Sequence, residues 1–211
     1  MAPATGAAAA VGRSWLTALM PSEPQPVMAF ESTEAWDAWL SAHHADSPGL
    51  WLKIAKKGSA GQSISYSDAL DVALCYGWID GQKGRHDDDY WLQRFTRRKP
   101  GSNWSKINTE RAAALIASSR MRPAGLREIE QAQADGRWER AYQSQSRITV
   151  PEDLARALEA NPRARQFFAT LDATNRYAVL YRITGAKRPE TRAKRIDTFV
   201  AMLGEHKKIH P

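Results

Sequence analysis

The chain is organised around LCYGWIDGQKGRHDDDYWLQRFTRRKPGSNWSKIN, residues 74–108, which holds three of its eight tryptophans. Two segments within it, WIDGQK and YWLQRF, have the aromatic and alternating character of β-strands. The GRHDDD between them suits a turn, because glycine and aspartate tolerate tight backbone conformations. The sequence therefore predicts a hairpin at the centre of this stretch.

The residues before the hairpin predict more of the same sheet and its helices. In ESTEAWDAWLSAHH, residues 31–44, apolar side chains recur at the spacing of one helical face. GLWLKIAKK, residues 49–57, alternates with the two-residue period of a half-buried strand. A second helix is expected to begin near Ser65 and to stop at Gly77. We expect a sheet of three or more strands with helices packed against one side.

The residues after the hairpin predict helices only. Asn108 has the character of an N-cap, and a helix is expected from there through Ser118. Another should run from Pro123 toward Gly136. GRWERAYQSQSR is polar and lacks a sustained period, which favours a linker. Four short helices should follow, with starts at Pro151, Pro162 and Pro189 and one around Tyr177.

These elements predict an α+β fold, with a small antiparallel or mixed sheet and packed helices followed by a C-terminal helical unit. A chain of 211 residues with 43% hydrophobic side chains is long enough to bury a core. The expected organisation is a disordered tail over residues 1–28, an α+β domain over 29–136, a linker over 137–149 and the helical unit over 150–211.

Composition limits the classes of function. The net charge of +7 predicts attraction to polyanions, but a global charge does not choose among nucleic acid, lipid and phosphorylated ligands. The single cysteine, Cys75, excludes an intrachain disulfide framework. We expect no membrane span, because no window reaches about 18 apolar residues. The N-terminus lacks the order of a signal peptide, which favours a cytoplasmic location.

Candidate binding residues concentrate in two basic clusters. Residues 94–111 and 182–195 each hold six lysines and arginines and one acidic residue, and the two clusters could line one anion-binding cleft between the units. Tryptophans beside the first cluster could form an aromatic floor with a cationic rim, although a well-packed hairpin with a solvated edge fits the same residues. The candidate ligand-binding residues are Trp78, Asp80, Lys83, Arg94, Arg97, Lys99, Ser102, Trp104, Lys106, Arg188, Arg192 and Arg195.

Motifs for catalysis and metal binding are weak. No GxSxG or P-loop pattern occurs, and Cys75 lies on an apolar stretch that favours a buried thiol. His86 and the three aspartates after it could ligate a metal, but adjacent side chains rarely converge on one ion, so a solvated turn is favoured. Asp80 could act as a base or as a structural acceptor. We predict no metal and no cofactor.

Three motifs in order, GWIDG at residues 77–81, RFTRRKPGSNWSKIN at 94–108 and GAKRPETRAKRI at 185–196, resemble the YdeI/OmpD-associated family of bacterial proteins. The likeness covers roughly residues 29–205. It implies an α+β N-terminal region and a helical C-terminal unit, and links by name to bacteriocin or antimicrobial-peptide protection and to an outer-membrane porin. It supplies no catalytic residues.

The leading interpretation is a soluble, non-enzymatic binding protein of this family, acting in envelope or antimicrobial stress and recognising an anionic ligand or an envelope-protein partner. An enzyme acting on a small anionic or aromatic substrate, in a cleft beside Trp78, Asp80, Arg94 and Trp104, is the alternative. Non-specific nucleic-acid binding is a third hypothesis. The sequence does not determine the oligomeric state.

Overall fold

The computed structural model describes residues 25–211. Residues 1–24, which make up most of the predicted disordered tail, lie outside the described residues. The last two residues of that predicted tail form a short strand, β1 (Val27–Met28), that pairs in parallel with the strand after it. The ordered chain therefore begins before residue 29, because the backbone of residues 27 and 28 has a sheet partner.

A four-stranded mixed sheet lies in the N-terminal unit, in the order β1, β2 (Leu50–Ala55), β4 (Tyr90–Arg97), β3 (Trp78–Arg85). β2 and β3 both pair antiparallel with β4, and β3 and β4 are the predicted hairpin. The register shifts between Asp80 and Lys83. The predicted α+β class, with a small mixed sheet, is confirmed.

Two helices, α1 (Thr33–His43) and α2 (Tyr66–Cys75), cover one face of this sheet. Ser32 and Ser65 cap their first turns, each accepting a bond from a backbone N–H three residues later. Trp36 of α1 is fully buried, and its ring centroid lies 5.8 Å from that of Phe95 and 6.4 Å from that of Trp78. The aromatic residues of helix and hairpin thus share one core.

The third helix begins earlier than predicted. α3 spans Lys106–Ala117, and its N-cap is Ser105, whose hydroxyl accepts from the backbone N–H of Asn108 at 3.2 Å. Asn108 is therefore inside the first turn and buried, and the N-cap prediction for it is wrong. Both side chains suit an N-cap, and the chain takes the earlier one. α4 (Pro123–Ala134) follows as predicted, with proline at its first position.

The C-terminal unit contains only helices among its described elements: α5 (Glu152–Glu159), α6 (Pro162–Ala169), α7 (Ala173–Thr184) and α8 (Pro189–Gly204). Their apolar faces meet in a second hydrophobic cluster that includes Leu154, Leu180 and Leu203, each fully buried. Short helices of this kind gain most of their stability from such packing. Within residues 25–211, every helix is too short or too polar to cross a bilayer.

Between α4 and α5 the chain runs without helix or strand apart from one isolated bridge, which pairs Tyr142 with Ser105. Trp138 packs against the N-terminal core, whereas Ile148 and Val150 pack against the C-terminal one. This connecting segment (residues 135–151) therefore contacts both units, and it shapes the space between them.

Candidate functional site

A cleft of about 540 Å³ opens where the connecting segment meets the C-terminal helices. Its size lies in the range of about 300–1,000 Å³ that is typical of small-molecule sites. Five cationic side chains line it, and no carboxylate of the described residues does. The cationic residues are Arg137, Arg140, Arg182, Lys187 and Arg195.

One wall of the cleft comes from the turn that follows α4. Arg137 is buried, and its Nε donates to both carboxylate oxygens of Asp135 at 2.8 and 2.7 Å, while Nη1 donates to the Ser102 carbonyl at 2.8 Å. The hydrogen bond from Arg137 holds the pKa of Asp135 below its ordinary value. Arg140 is exposed and donates to the backbone oxygen of Asp135 at 2.8 Å. These bonds fix Arg137 and leave Arg140 at the surface.

The opposite wall comes from the end of α7 and the first half of α8. Arg182 donates to the Ala178 carbonyl at 3.0 Å, and Arg195 donates to the backbone oxygen of Arg182. Lys187 lies in the short loop between the two helices. Within residues 25–211, Arg140 and these three side chains form no ion pair, so four positive charges of the cleft have no carboxylate partner.

Two tyrosines connect the walls. The rings of Tyr142 and Tyr181 meet edge to face, with centroids 5.1 Å apart and an interplanar angle of 86°. Tyr142 is held through its backbone, because its N–H donates to Trp104 and its carbonyl accepts from Lys106, at 2.9 and 2.8 Å. Burial raises the pKa of Tyr142, so its phenol stays protonated at neutral pH and can donate a hydrogen bond.

Behind the cleft lies a buried arginine without an acidic partner. Arg98 is 6% exposed, its guanidinium carbon sits 3.6 Å from the centroid of the Trp104 ring, and Nη1 donates at 3.3 Å to the carbonyl of Asn103, which lines the cleft. Its Nε has no partner among the described residues. Burial lowers the pKa of Arg98 to about 10. The Trp104 ring and the Asn103 carbonyl stabilise this buried charge. A nearby anion would stabilise it further.

The predicted aromatic floor is part of the hydrophobic core. Trp78 is fully buried, and its indole N–H donates to the His44 carbonyl at 3.0 Å. Trp104 is 2% exposed and packs edge to face against Trp138. Asp80 accepts a bond of 2.6 Å from the Tyr66 hydroxyl, which acts with burial to raise the pKa of Tyr66. None of Trp78, Asp80 and Trp104 lines this cleft or the two smaller cavities described.

None of the cations of the first predicted cluster lines the cleft, and their bonding partners differ. Arg94 contacts Gln25 and Gln82, Arg97 contacts the Ala45 carbonyl, and Arg111 pairs with Asp71 at 2.6 Å. Lys83 lies over the Trp91 and Tyr66 rings, and Lys99 and Lys106 are exposed. Ser102 reaches the cleft only through its carbonyl, which holds Arg137. The hairpin cluster therefore does not form the predicted rim.

The second predicted cluster is divided. Arg195 lines the cleft, and Arg188 is exposed at the N-cap of α8. Arg192 instead forms two bonds to Asp153, of 2.5 and 2.9 Å, and a third to the Ile183 carbonyl. That pair lowers the pKa of Asp153 and raises the pKa of Arg192. Arg192 thus ties α8 to α5 and α7.

Other chemistry predicted from the sequence can also be located. Cys75 is buried, and burial raises the pKa of its thiol to about 11, which makes it a poor nucleophile at neutral pH. Asp87 accepts bonds from the backbone N–H groups of Asp89 and Tyr90, as a turn residue does. In the part of the chain that the structure describes, no three acidic, histidine or cysteine side chains group as metal ligands would.

Sequence reasoning missed half of the cleft. Arg137, Arg140 and Tyr142 fall in the stretch for which the sequence favours a linker, and Tyr181 falls in the helix predicted around Tyr177. The one available signal is the alternation of arginine and aromatic residues in RWERAY, residues 137–142. Helical or strand periodicity does not detect such a segment, because its residues belong to neither kind of element.

Comparison with known families matches two separate stretches of the chain. Residues 28–128 match a domain of unknown function, DUF8412, and residues 147–206 match the family described as "Bacteriocin-protection, YdeI or OmpD-Associated". No curated protein and no solved structure matches the chain. The wall that carries Arg137 and Arg140 lies between the two matched stretches.

The resemblance drawn from the sequence is confirmed, and its extent is corrected. GAKRPETRAKRI lies inside the YdeI/OmpD-associated match, whereas GWIDG and RFTRRKPGSNWSKIN lie inside the other domain. The family match accordingly ends short of the sheet and covers the helices that form one wall of the cleft. Over residues 147–206, the C-terminal unit of this chain is thus similar to the family described as "Bacteriocin-protection, YdeI or OmpD-Associated".

Proposed function

We propose that the chain is a binding protein that takes a small anionic ligand in the cleft between its two units. The observation that carries this proposal is the lining itself, in which five cationic side chains surround about 540 Å³ and no carboxylate of the described residues joins them. Like charges this close repel one another in the empty cleft, and an anion removes that cost while it gains charge-assisted hydrogen bonds.

Arg98 supports the proposal independently of the cleft lining. It is a buried guanidinium with one unpartnered nitrogen, and it contacts the cleft residue Asn103. Buried charges are ordinarily paired, because desolvation costs several kcal/mol per ion. A binding function explains why the buried Arg137 lines the cleft and the buried Arg98 holds the carbonyl of a cleft residue.

Thermal unfolding with added anions tests this function, since a ligand that binds only the folded state raises the melting temperature. Orthophosphate, pyrophosphate and citrate are compared with potassium chloride at equal ionic strength. We expect pyrophosphate to raise the melting temperature. Failure of all three anions to do so would overturn the proposal.

A charge-matched pair of variants locates the site. Arg182→Gln with Lys187→Gln removes two exposed cations from the cleft. Arg156→Gln with Arg163→Gln removes two exposed cations elsewhere in the C-terminal unit. By calorimetry the first variant should bind pyrophosphate at least about ten-fold more weakly, the effect of about one lost charge-assisted bond. Equal losses in both variants would show that the net charge, and not the cleft, attracts the anion.

A further inference from the structure

We infer that the ligand is an organic diphosphate with an aromatic group, of the nucleoside diphosphate class, whose phosphates span the two basic walls while its ring lies against the tyrosine pair. The inference rests on the proposed function and names the chemistry of the ligand. Three features of the cleft carry it: the number of its unpaired charges, their division between two walls, and its mixed lining.

The charge count favours two phosphates. Arg137 is paired with Asp135, which leaves Arg140, Arg182, Lys187 and Arg195 without a carboxylate partner within residues 25–211. A phosphate monoester carries about 1.5 to 2 negative charges at neutral pH. One phosphate therefore leaves about half of the cleft charge unbalanced, and a second, linked phosphate adds about one more negative charge and reduces the difference.

The division of the cations favours a ligand that bridges. Arg137 and Arg140 belong to the connecting segment on the N-terminal side, whereas Arg182, Lys187 and Arg195 belong to α7, α8 and the loop between them. Each wall carries at least one cation without a carboxylate partner within residues 25–211, so a ligand with one phosphate for each wall pairs more of these charges than a single phosphate does. Two linked phosphates contact both, and arginine's planar fork suits phosphate oxygens on either side.

The rest of the lining favours an organic group on the diphosphate. Ile148, Pro151 and Ala141 add apolar surface, and the Tyr142 and Tyr181 rings provide aromatic surface. Aromatic side chains stack on bases without demanding a particular one. A cavity of about 540 Å³ is also larger than two phosphates require. The cleft thus combines a charged part with a part suited to a flat ring.

Titration calorimetry with ADP, UDP, AMP and pyrophosphate tests the inference on the full chain. We expect ADP and UDP to bind at least about ten-fold more tightly than AMP, because the second phosphate adds charge-assisted bonds. They should also bind more tightly than pyrophosphate, which lacks the ring. If AMP binds as tightly as ADP, the bridging arrangement is wrong. If pyrophosphate binds as tightly as ADP and UDP, the inferred contact with an organic group is wrong.

Variants on each side of the cleft separate the two parts of the inference. Arg140→Gln and Arg182→Gln should each weaken the binding of ADP, since each variant removes one exposed cation from one wall. Tyr181→Leu should weaken the binding of ADP several-fold and leave the affinity for pyrophosphate unchanged. Unchanged ADP affinity in Tyr181→Leu, or an equal loss for both ligands, would contradict the ring contact. Pyrophosphate binding without any gain from the nucleoside would leave the proposed function standing and this inference refuted.

Discussion

Trp78 in the hairpin and Tyr181 in the cleft both lie among aromatic rings, but their polar atoms are used differently. Trp78 is fully buried against Trp36 and Trp39, and its indole N–H reaches the His44 carbonyl. Tyr181 is only half-buried, and its ring meets Tyr142 at the edge of an open cavity. The polar atom of Trp78 is bonded inside the core, whereas the Tyr181 ring lies at a cavity where a ligand can reach it.

The arginines repeat this contrast. Arg94, Arg97 and Arg111 of the hairpin region and α3 each bond to a protein oxygen on another element. Arg182 and Arg195 of the cleft bond to carbonyls within their own helix pair, and their charges stay uncompensated. Density of basic and aromatic residues in the sequence therefore does not identify a binding site. The better indicator is a group of cations that line one cavity with no carboxylate of the described residues among them.

The largest expected difference between the two regions is the loss of stability when the core tryptophan is removed. Trp78→Ala should lower the free energy of unfolding by about 3–5 kcal/mol, because it empties a fully buried site that holds a large ring. Tyr181→Leu, the matched change in the cleft, should cost about 1 kcal/mol. Urea denaturation followed by circular dichroism measures both. Equal costs would mean that the cleft tyrosine is a core residue as well.

The next effect concerns Arg192, which the sequence assigned to the ligand site. Asp153→Asn should cost about 1 kcal/mol at pH 7, less than a fully buried charged bond because both side chains are partly exposed. The folded-state pKa of Asp153 lies below its unfolded value, so the pair stabilises the protein above about pH 4 and this contribution is lost as the pH falls further.

The measurement is a set of urea titrations between pH 3 and 7 for the wild type and Asp153→Asn. The difference between them should shrink below about pH 4. Glu159→Gln is the control, since it opens an exposed pair with Arg165 and should cost less than about 0.5 kcal/mol. A pH-independent difference for Asp153→Asn would show that its effect is not electrostatic.

Much of the fold could be predicted from the sequence, because its signals are local. The alternation in residues 49–57 gave β2, the two aromatic strands gave the hairpin, and prolines marked the starts of α4, α6 and α8. The N-cap of α3 was predicted three residues too late, since Ser105 and Asn108 both suit an N-cap and only the folded chain shows which side-chain oxygen accepts the bond.

The site was harder to predict, because it joins segments far apart in the chain. A cleft between the units, lined by residues 94–111 and 182–195, was one hypothesis from the sequence, and Arg182, Lys187 and Arg195 line the cleft described above. The opposite wall comes from Arg137 and Arg140 and not from the hairpin, and no periodicity reports on a segment without helix or strand. The pairing of Arg192 with Asp153 could not be predicted either, because the two residues lie 39 positions apart in the sequence.

The smallest expected effect on stability is that of Arg182→Gln in the cleft, and its sign distinguishes the cleft from the hairpin region. Within residues 25–211, Arg182 is one of four cleft cations without a carboxylate partner, and its side chain donates only to a carbonyl of its own helix. Arg182→Gln removes this charge. We expect the free energy of unfolding to rise by up to about 0.5 kcal/mol at low salt, because repulsion from Arg195 and Lys187 is relieved. Salt of about 1 M should abolish the gain, since it screens exposed charges beyond a few ångströms.

Urea denaturation at low and high salt measures this change in the free energy of unfolding, with Arg163→Gln as the exposed control. A loss of more than about 1 kcal/mol would place Arg182 with the structural arginines of the hairpin region and remove it from the cleft's binding groups.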